Sequence, residues 1–296
     1  MASGRFHDFP RDGGPKLPPV LDAPIARSSA GSSADLELRI ANLERERVEL
    51  RAELFEAAQV QRRLSGPRHL DRHGFEIASE TFPVRCLAGD FVCTMDIADR
   101  TWIALGDIGG KGLAAAMWFT HLASLIRCHA AALGDVAGVM RELNADLCSL
   151  QPGPPLTSMV LFVLSGDKGC AEYCNAGHPA PMLVRAGCPA VEQLETGGPL
   201  LGVIRGAAYH AGRFRLGACD LLLGCTDGVL ECSNDQGEEF GHDRLLQVAR
   251  DHAADPAQAL LFSVLGRVQD FAAATPRADD ISLLLIRAAG NATAQG

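Results

Sequence analysis

Four aspartates stand where apolar, strand-like segments begin or end, and carboxylates in such positions can meet at one edge of a sheet. They are Asp90, Asp107, Asp227 and Asp279. One aspartate of this kind is an ordinary turn or helix-cap residue. If all four converge, their mutual repulsion is unfavourable unless some are protonated or cations neutralise them. Two divalent ions about 3.5–4 Å apart would balance the charge, and such a pair is used in phosphoester hydrolysis.

The ligand chemistry of this set favours hard cations. All the presumed ligands are oxygens and no histidine or cysteine adjoins them, so Mg²⁺ or Mn²⁺ suits them better than Zn²⁺. Asp280, which directly follows Asp279, is either an extra metal ligand or the residue that orients Asp279, and we favour the second role.

Asp107 lies in a glycine-rich turn, Gly106–Gly112 (GDIGGKG), between a strand predicted over 101–105 and a helix with an apolar stripe around Trp118. Two kinds of ligand suit such a turn. A phosphate would bind the amides at the helix N-terminus, and a hard cation would bind the carboxylate and a neighbouring carbonyl. Most turns of this composition are only turns. Lys111 within it is either a phosphate contact or a solvent-exposed side chain.

A short hairpin is predicted to bring two of the aspartates together. The strand over 91–98 is separated from the strand over 101–105 only by Asp99 and Arg100, which suits an antiparallel pair. The start of one strand and the end of the other then share an edge, so Asp90 and Asp107 become neighbours. Convergence of Asp227 and Asp279 with this pair does not follow from the sequence.

The remaining elements predict an α+β sandwich rather than a doubly wound sheet, because helices interrupt runs of strands that can pair as hairpins. Further strands are predicted over 75–82, 157–165, 170–175, 182–185, 214–216, 220–225 and 281–286. A second helix is predicted over 136–150, and two more include 245–248 and 260–268.

The N-terminal part has a different character. Residues 1–33 are rich in Pro, Gly and Ser and predict a flexible tail, and residues 291–296 a second tail. Residues 34–66 predict a coiled-coil helix and linker before a domain over 67–290, and a homodimer through the 34–64 helix. The alternative is one amphipathic helix packed on its own domain. The predicted seam consists of Leu36, Ile40, Leu43, Arg47, Leu50, Leu54, Ala57, Gln61 and Leu64.

Composition excludes some classes of partner. The 296-residue chain has 27 basic and 36 acidic residues and a net charge of −9, which argues against nucleic-acid binding and against docking on anionic lipid. No apolar run is long enough to span a bilayer and the N-terminus lacks the apolar core of a secretion signal, so we expect a cytoplasmic protein. The ten cysteines contain no C-x-x-C pair and are interpreted as buried free thiols.

Five short motifs, in this order and spacing, resemble those of the protein phosphatase type 2C (PPM-type) family, and more narrowly its bacterial branch that controls sporulation and stress sigma factors. The similarity runs from about residue 59 to residue 287. The motifs are Ala88–Phe91 (AGDF), Gly106–Gly112, Asn175–His178 (NAGH), Thr226–Glu231 (TDGVLE) and Ala278–Ile281 (ADDI).

This resemblance implies a β-sandwich of two mainly antiparallel sheets flanked by helices, with two Mn²⁺ or Mg²⁺ ions in a cleft at one end. It implies that Asp90 bridges the ions, that Asp107 and the Ile108 carbonyl hold one, and that Asp227 and Asp279 hold the other. A hydroxide between the ions would attack a phosphoserine or phosphothreonine without a phosphoenzyme. The implied substrate is a phosphorylated regulatory protein of the anti-sigma-factor antagonist type.

The sequence departs from the family pattern in places. Cys93 occupies the position of a second acid, and Ala88 replaces a glycine. The arginine that grips phosphate in human-type members has no clear equivalent, and Arg85 is a candidate phosphate contact, the alternative being a solvated surface arginine. Two other functions compete with the protein phosphatase: a catalytically silent scaffold that binds the same kind of partner, and a small-molecule phosphoesterase.

Overall fold

The computed structural model describes residues 33–150, 153–166 and 170–288. The chain divides into two compact units, one up to Leu50 and the other from Arg51 onward. Apart from Ser33, the two predicted tails lie outside the described residues. The described residues of the smaller unit all belong to one helix, α1 (Ser33–Leu64), which continues into the larger unit.

The larger unit contains two six-stranded sheets and five further helices among its described residues. In chain order the elements after α1 are β1 (His69–Arg72), β2 (Phe75–Phe82), β3 (Asp90–Ile97), β4 (Arg100–Ile108), α2 (Leu113–Leu133), α3 (Val136–Ser149), β5 (Thr157–Leu164), β6 (Cys170–Ala176), β7 (Met182–Val184), β8 (Val191–Gln193), β9 (Gly197–Gly198), β10 (Gly212–Arg215), β11 (Leu221–Cys225), α4 (Asp227–Leu230), α5 (Gly241–Asp251), α6 (Ala257–Ala272) and β12 (Ile281–Ala288). The first sheet has the order β1-β2-β12-β11-β7-β8, and the second has the order β10-β6-β5-β4-β3 with β9 beside β6.

The sheets stack face to face, and helices cover both outer faces. Strand β4 shows how the alternation of apolar side chains produces these layers. Ile103 and Leu105 point into the core between the two sheets, whereas Trp102 and Ala104 point into the core that α2 and α3 cover. Helices α5 and α6 cover the outer face of the other sheet in the same way. The predicted α+β sandwich is therefore confirmed, and among the described strands only the β6–β9 pair is parallel.

One predicted strand boundary is wrong in a way that affects the site. Strand β4 does not end at Gly106 but continues through Asp107 and Ile108. Gly106 is a packing glycine, because a Cβ there would lie 2.5 Å from the Ser158 carbonyl oxygen and 2.7 Å from the Phe91 ring. Asp107 is therefore held by strand hydrogen bonds, and the turn begins only at Gly109.

The predicted seam of helix α1 is exposed in its first half and packed against the domain near its C-terminal end. Leu36, Ile40 and Leu43 are more than half exposed. Near the other end, Gln61 is half-buried, and Leu64 packs against the core under α2 and α3. The last turns thus pack on their own domain, while the two-chain coil stays a prediction for the rest of the helix.

Two simpler expectations concern the thiols and membranes. All ten cysteines are free, but only Cys93, Cys174 and Cys225 are buried, so the expectation of buried thiols holds for just these three. Among the described helices, none combines the length and apolar character needed to cross a membrane.

Candidate metal centre

The predicted hairpin places Asp90 beside Asp107. Strands β3 and β4 pair antiparallel, and the two aspartates face each other in the register at one end of the ladder. Asp90 is almost fully buried and Asp107 is half-buried. Gly89 supports this arrangement, because a Cβ there would lie 2.9 Å from the Ile108 carbonyl oxygen. The three oxygen-bearing groups that the sequence assigned to this corner therefore lie together.

Asp227 approaches from the other sheet as the first residue of α4, directly after β11. The preceding residue, Thr226, is fully buried and links three parts of the site. Its hydroxyl donates to the Asp90 carboxylate, and the same oxygen accepts from the Ser282 backbone N–H at 3.1 Å. Sequence reasoning missed this role for Thr226, although the residue lies within one of the five motifs.

Asp279 precedes β12 and lies at the open side of the cluster. Its carboxylate forms an ion pair with the Lys111 ammonium at 2.8 Å, and the same ammonium donates to the Ala278 carbonyl at 2.8 Å. Lys111 is exposed but makes defined contacts, and its role as a phosphate contact stays a prediction. It brings a positive charge from the glycine-rich turn to the acid cluster.

Asp280 contacts both Asp279 and the loop before Asp90. Its buried carboxylate accepts hydrogen bonds from the backbone N–H groups of Val84 and Gly89, at 2.7 and 2.8 Å. The side chain therefore holds the loop before Asp90. Asp280 contacts Asp279 through its backbone, because its N–H donates to the Asp279 carboxylate at 2.9 Å.

The electrostatics of Asp90 show that the acids act on one another. Burial raises the pKa of Asp90 to about 9, and the hydrogen bond from Thr226 opposes this increase. The charges of Asp107, Asp280 and Asp227 raise the pKa further. A buried carboxylate surrounded by like charges is stable as an anion only beside a cation.

Asp107 responds in the same way. Burial raises its pKa to about 6, and the charges of Asp227, Asp279 and Asp280 contribute to the increase, whereas a hydrogen bond with Asp90 opposes it. The charges of Asp227 and Asp279, which belong to the other sheet, thus raise the pKa values of the hairpin aspartates, Asp227 for both Asp90 and Asp107 and Asp279 for Asp107. The four predicted residues therefore form one cluster at a single end of the sandwich.

The donor chemistry of this cluster fits hard divalent cations. Carboxylates and one backbone carbonyl face a common region. Burial, together with repulsion among the carboxylates, raises the pKa values of Asp90 and Asp107, as expected where cation charge is needed. Within residues 33–150, 153–166 and 170–288, no three acidic, histidine or cysteine side chains are already drawn into a closed ligand set. The Lys111 ammonium neutralises part of the negative charge of the cluster through its ion pair with Asp279.

Arg85, the candidate phosphate contact, and His178, the last residue of the NAGH motif, lie at or below the site. Arg85 is exposed, and its charge acts on the Lys111 ammonium, which places it near the rim of the cluster. His178 is buried, its Nδ1 lies 3.0 Å from the Ser158 hydroxyl, and its backbone N–H donates to Asn175. Burial lowers the pKa of His178 to about 4, so the ring is neutral at physiological pH.

Comparisons with known proteins bear on the family and the fold of the chain. The family described as Stage II sporulation protein E (SpoIIE) matches residues 97–289, which is more than half of the chain. The chain is similar to phosphoserine phosphatase RsbU of Bacillus subtilis, with 24% identity over 246 residues that cover 81% of this chain and 71% of RsbU.

Two solved structures share the fold. The PP2C domain of SiaA from Pseudomonas aeruginosa superposes with a TM-score of 0.69 at 20% identity, covering 82% of this chain and 98% of that domain. The RsbU and RsbW domains of Rv1364c from Mycobacterium tuberculosis give a TM-score of 0.62 at 26% identity, covering 73% of this chain and 60% of that chain.

Proposed function

This chain belongs to the SpoIIE family of PP2C-type, metal-dependent protein serine/threonine phosphatases, and on that premise we propose that its acid cluster is the catalytic metal centre. The observation that carries the proposal is the convergence of the aspartates at one end of the sandwich. Asp90 faces Asp107 in the strand register, Thr226 beside Asp227 donates to Asp90, and Asp280 beside Asp279 accepts from Gly89. When bound, two Mn²⁺ or Mg²⁺ ions supply a hydroxide nucleophile at neutral pH and offset charge on the phosphoryl oxygens.

The chain's own residues divide the remaining work. Asp90 would serve both ions, Asp107 and the Ile108 carbonyl would hold one, and Asp227 and Asp279 would hold the other. Thr226 holds the Asp90 carboxylate in place through its hydroxyl. Arg85 at the rim has the charge and the exposure to contact the substrate phosphate.

We assign phosphoserine or phosphothreonine of a regulatory protein as the substrate, of the anti-sigma-factor antagonist type. The support is the likeness to RsbU, which is named a phosphoserine phosphatase. The open rim around Asp279, where the side chain is 44% exposed, gives a protein substrate access to the cluster.

The test uses the full chain with a phosphoserine peptide, p-nitrophenyl phosphate and excess Mn²⁺. We expect Mn²⁺-dependent phosphate release. Asp107→Asn should lower kcat by at least about 100-fold, because removing a metal ligand costs more activity than removing a residue that only hydrogen-bonds a ligand. The matched control is Asp99→Asn, at the opposite end of the same hairpin, which should leave the activity unchanged.

The same assay separates the competing functions. A folded protein that releases no phosphate from either compound would favour the silent scaffold. Hydrolysis of p-nitrophenyl phosphate without hydrolysis of the phosphopeptide would favour a small-molecule phosphoesterase.

A further inference from the structure

Near the C-terminal end of α1, Gln61 forms a reciprocal pair of hydrogen bonds with the backbone of Ala88. The Gln61 Nε2 donates to the Ala88 carbonyl at 2.8 Å, and the Ala88 N–H donates to the Gln61 Oε1 at 3.3 Å. Ala88 is only 3% exposed, so without Gln61 both of its backbone polar groups would lose these partners in a buried place. Such a loss is costly, because buried backbone groups are almost always paired.

The rest of the helix end is bonded to the strand that Asp90 begins. The Thr94 N–H donates to the Ser65 carbonyl at 2.8 Å, and the Cys93 thiol contacts the Leu64 carbonyl at 3.3 Å. Gly66 has a positive φ of 78° and no room for a side chain, since a Cβ would lie 2.1 Å from the Thr94 carbonyl oxygen. The residues at the C-terminal end of α1 are therefore joined directly to strand β3.

The loop before Asp90 is held from two directions. The carboxylate of Asp280, the residue just before β12, accepts from the N–H groups of Val84 and Gly89 in this loop. The side chain of Gln61 on α1 bonds Ala88 in the same loop. Between these contacts the loop has no regular secondary structure, and Val84 and Arg85 are exposed. Gln61 is thus the attachment that comes from outside the sandwich.

We propose that Gln61 is a positioning residue that fixes the backbone immediately before Asp90, so that the last turns of α1 set where this carboxylate lies in the metal centre. The inference rests on the proposed function. Gln61 is a polar residue on the predicted seam, yet its side chain bonds Ala88, two positions before Asp90.

The test compares the full chain with Gln61→Met, which keeps side-chain length and helix propensity but removes both hydrogen bonds. We measure Mn²⁺ affinity by calorimetry, and hydrogen exchange of the 84–91 amides in metal-free protein. We expect the Mn²⁺ dissociation constant to rise about three- to tenfold, somewhat less than for a direct outer-shell partner of a metal ligand. Exchange of the 84–91 amides should accelerate, and saturating Mn²⁺ should restore kcat.

The matched control is Gln59→Met, because Gln59 lies two positions earlier on the same helix and makes no side-chain hydrogen bond within the described part of the chain. It should match the wild type in every measurement. Unchanged affinity and exchange in Gln61→Met would overturn the inference alone, and so would equal effects in both variants or faster exchange throughout β5 and β12. A wild-type protein that binds no Mn²⁺ would overturn the proposed function, and the inference with it.

Discussion

Asp90 and His178 are buried groups whose pKa values move in opposite directions, and they give the metal-free protein an unusual response to pH. Burial raises the pKa of Asp90 to about 9, so its native form is protonated where the unfolded chain is already ionised. Burial lowers the pKa of His178 to about 4, so its native form is neutral where the unfolded chain is protonated. The Asp90 contribution to stability is lost as pH rises, and that of His178 is lost as pH falls below about 6.5.

The window from pH 6.5 to 8 therefore isolates Asp90, because the pKa of Asp107 is raised only to about 6. Burial raises the pKa values of the thiols of Cys93, Cys174 and Cys225 to about 12, and these thiols ionise appreciably in the unfolded chain only above about pH 8. We predict that the metal-free protein loses up to about 2 kcal/mol of stability across this window. Asp90→Asn cannot ionise, so its stability should be nearly independent of pH there. Denaturant unfolding in a chelator at several pH values measures this, with Asp99→Asn as the control that should follow the wild type. A parallel decline in Asp90→Asn would show that another group titrates.

At the scale of elements, the sequence predicted local pairings well. The two-residue break at Asp99 and Arg100 is enough to predict the hairpin, and with it the neighbouring positions of Asp90 and Asp107. It could not predict how Asp227 and Asp279 join them, because these residues belong to the other sheet and reach the site only when the two sheets stack. For the same reason the sequence did not predict that Asp280 bonds Gly89, 191 residues away, or that Gln61 bonds Ala88, 27 residues away.

Gly106 shows why a composition rule misplaced the end of β4. The rule takes glycine as a turn residue, whereas here the absence of a side chain lets β4 pass close to β5 and to the Phe91 ring. We predict that Gly106→Ala destabilises the protein by about 1–3 kcal/mol through overpacking, and weakens Mn²⁺ binding because Asp107 is the next residue. The control is Gly266→Ala in α6, where a Cβ meets nothing within 4 Å and alanine should be neutral or stabilising.

Thermal unfolding and calorimetry with Mn²⁺ measure both effects. A Gly106→Ala protein with wild-type stability would mean that β4 can move away from β5 at little cost. The positioning of Asp107 would then not depend on this close contact.

For the whole molecule, the remaining question is what covers the apolar side chains of the first half of α1. Leu36, Ile40, Leu43 and Leu50 are each at least 54% exposed, and they repeat at the spacing of a coiled-coil seam. A helix with so many exposed leucines is costly in water unless a partner buries them. A second copy of the same helix supplies a matching seam, in which Arg47 would weaken the pairing and fix its register.

We therefore predict that the full chain is a dimer in solution, and that Leu43→Lys raises its dissociation constant by about 100-fold or more, because two buried leucines are lost per dimer. Leu38→Lys is the matched control, since Leu38 is exposed to 61% and Leu43 to 64%, yet Leu38 lies off the seam. Sedimentation equilibrium over a range of concentrations measures both variants. A monomeric wild type, or equal dissociation in the two variants, would exclude the coil and leave α1 as a single helix whose last turns pack on their own domain.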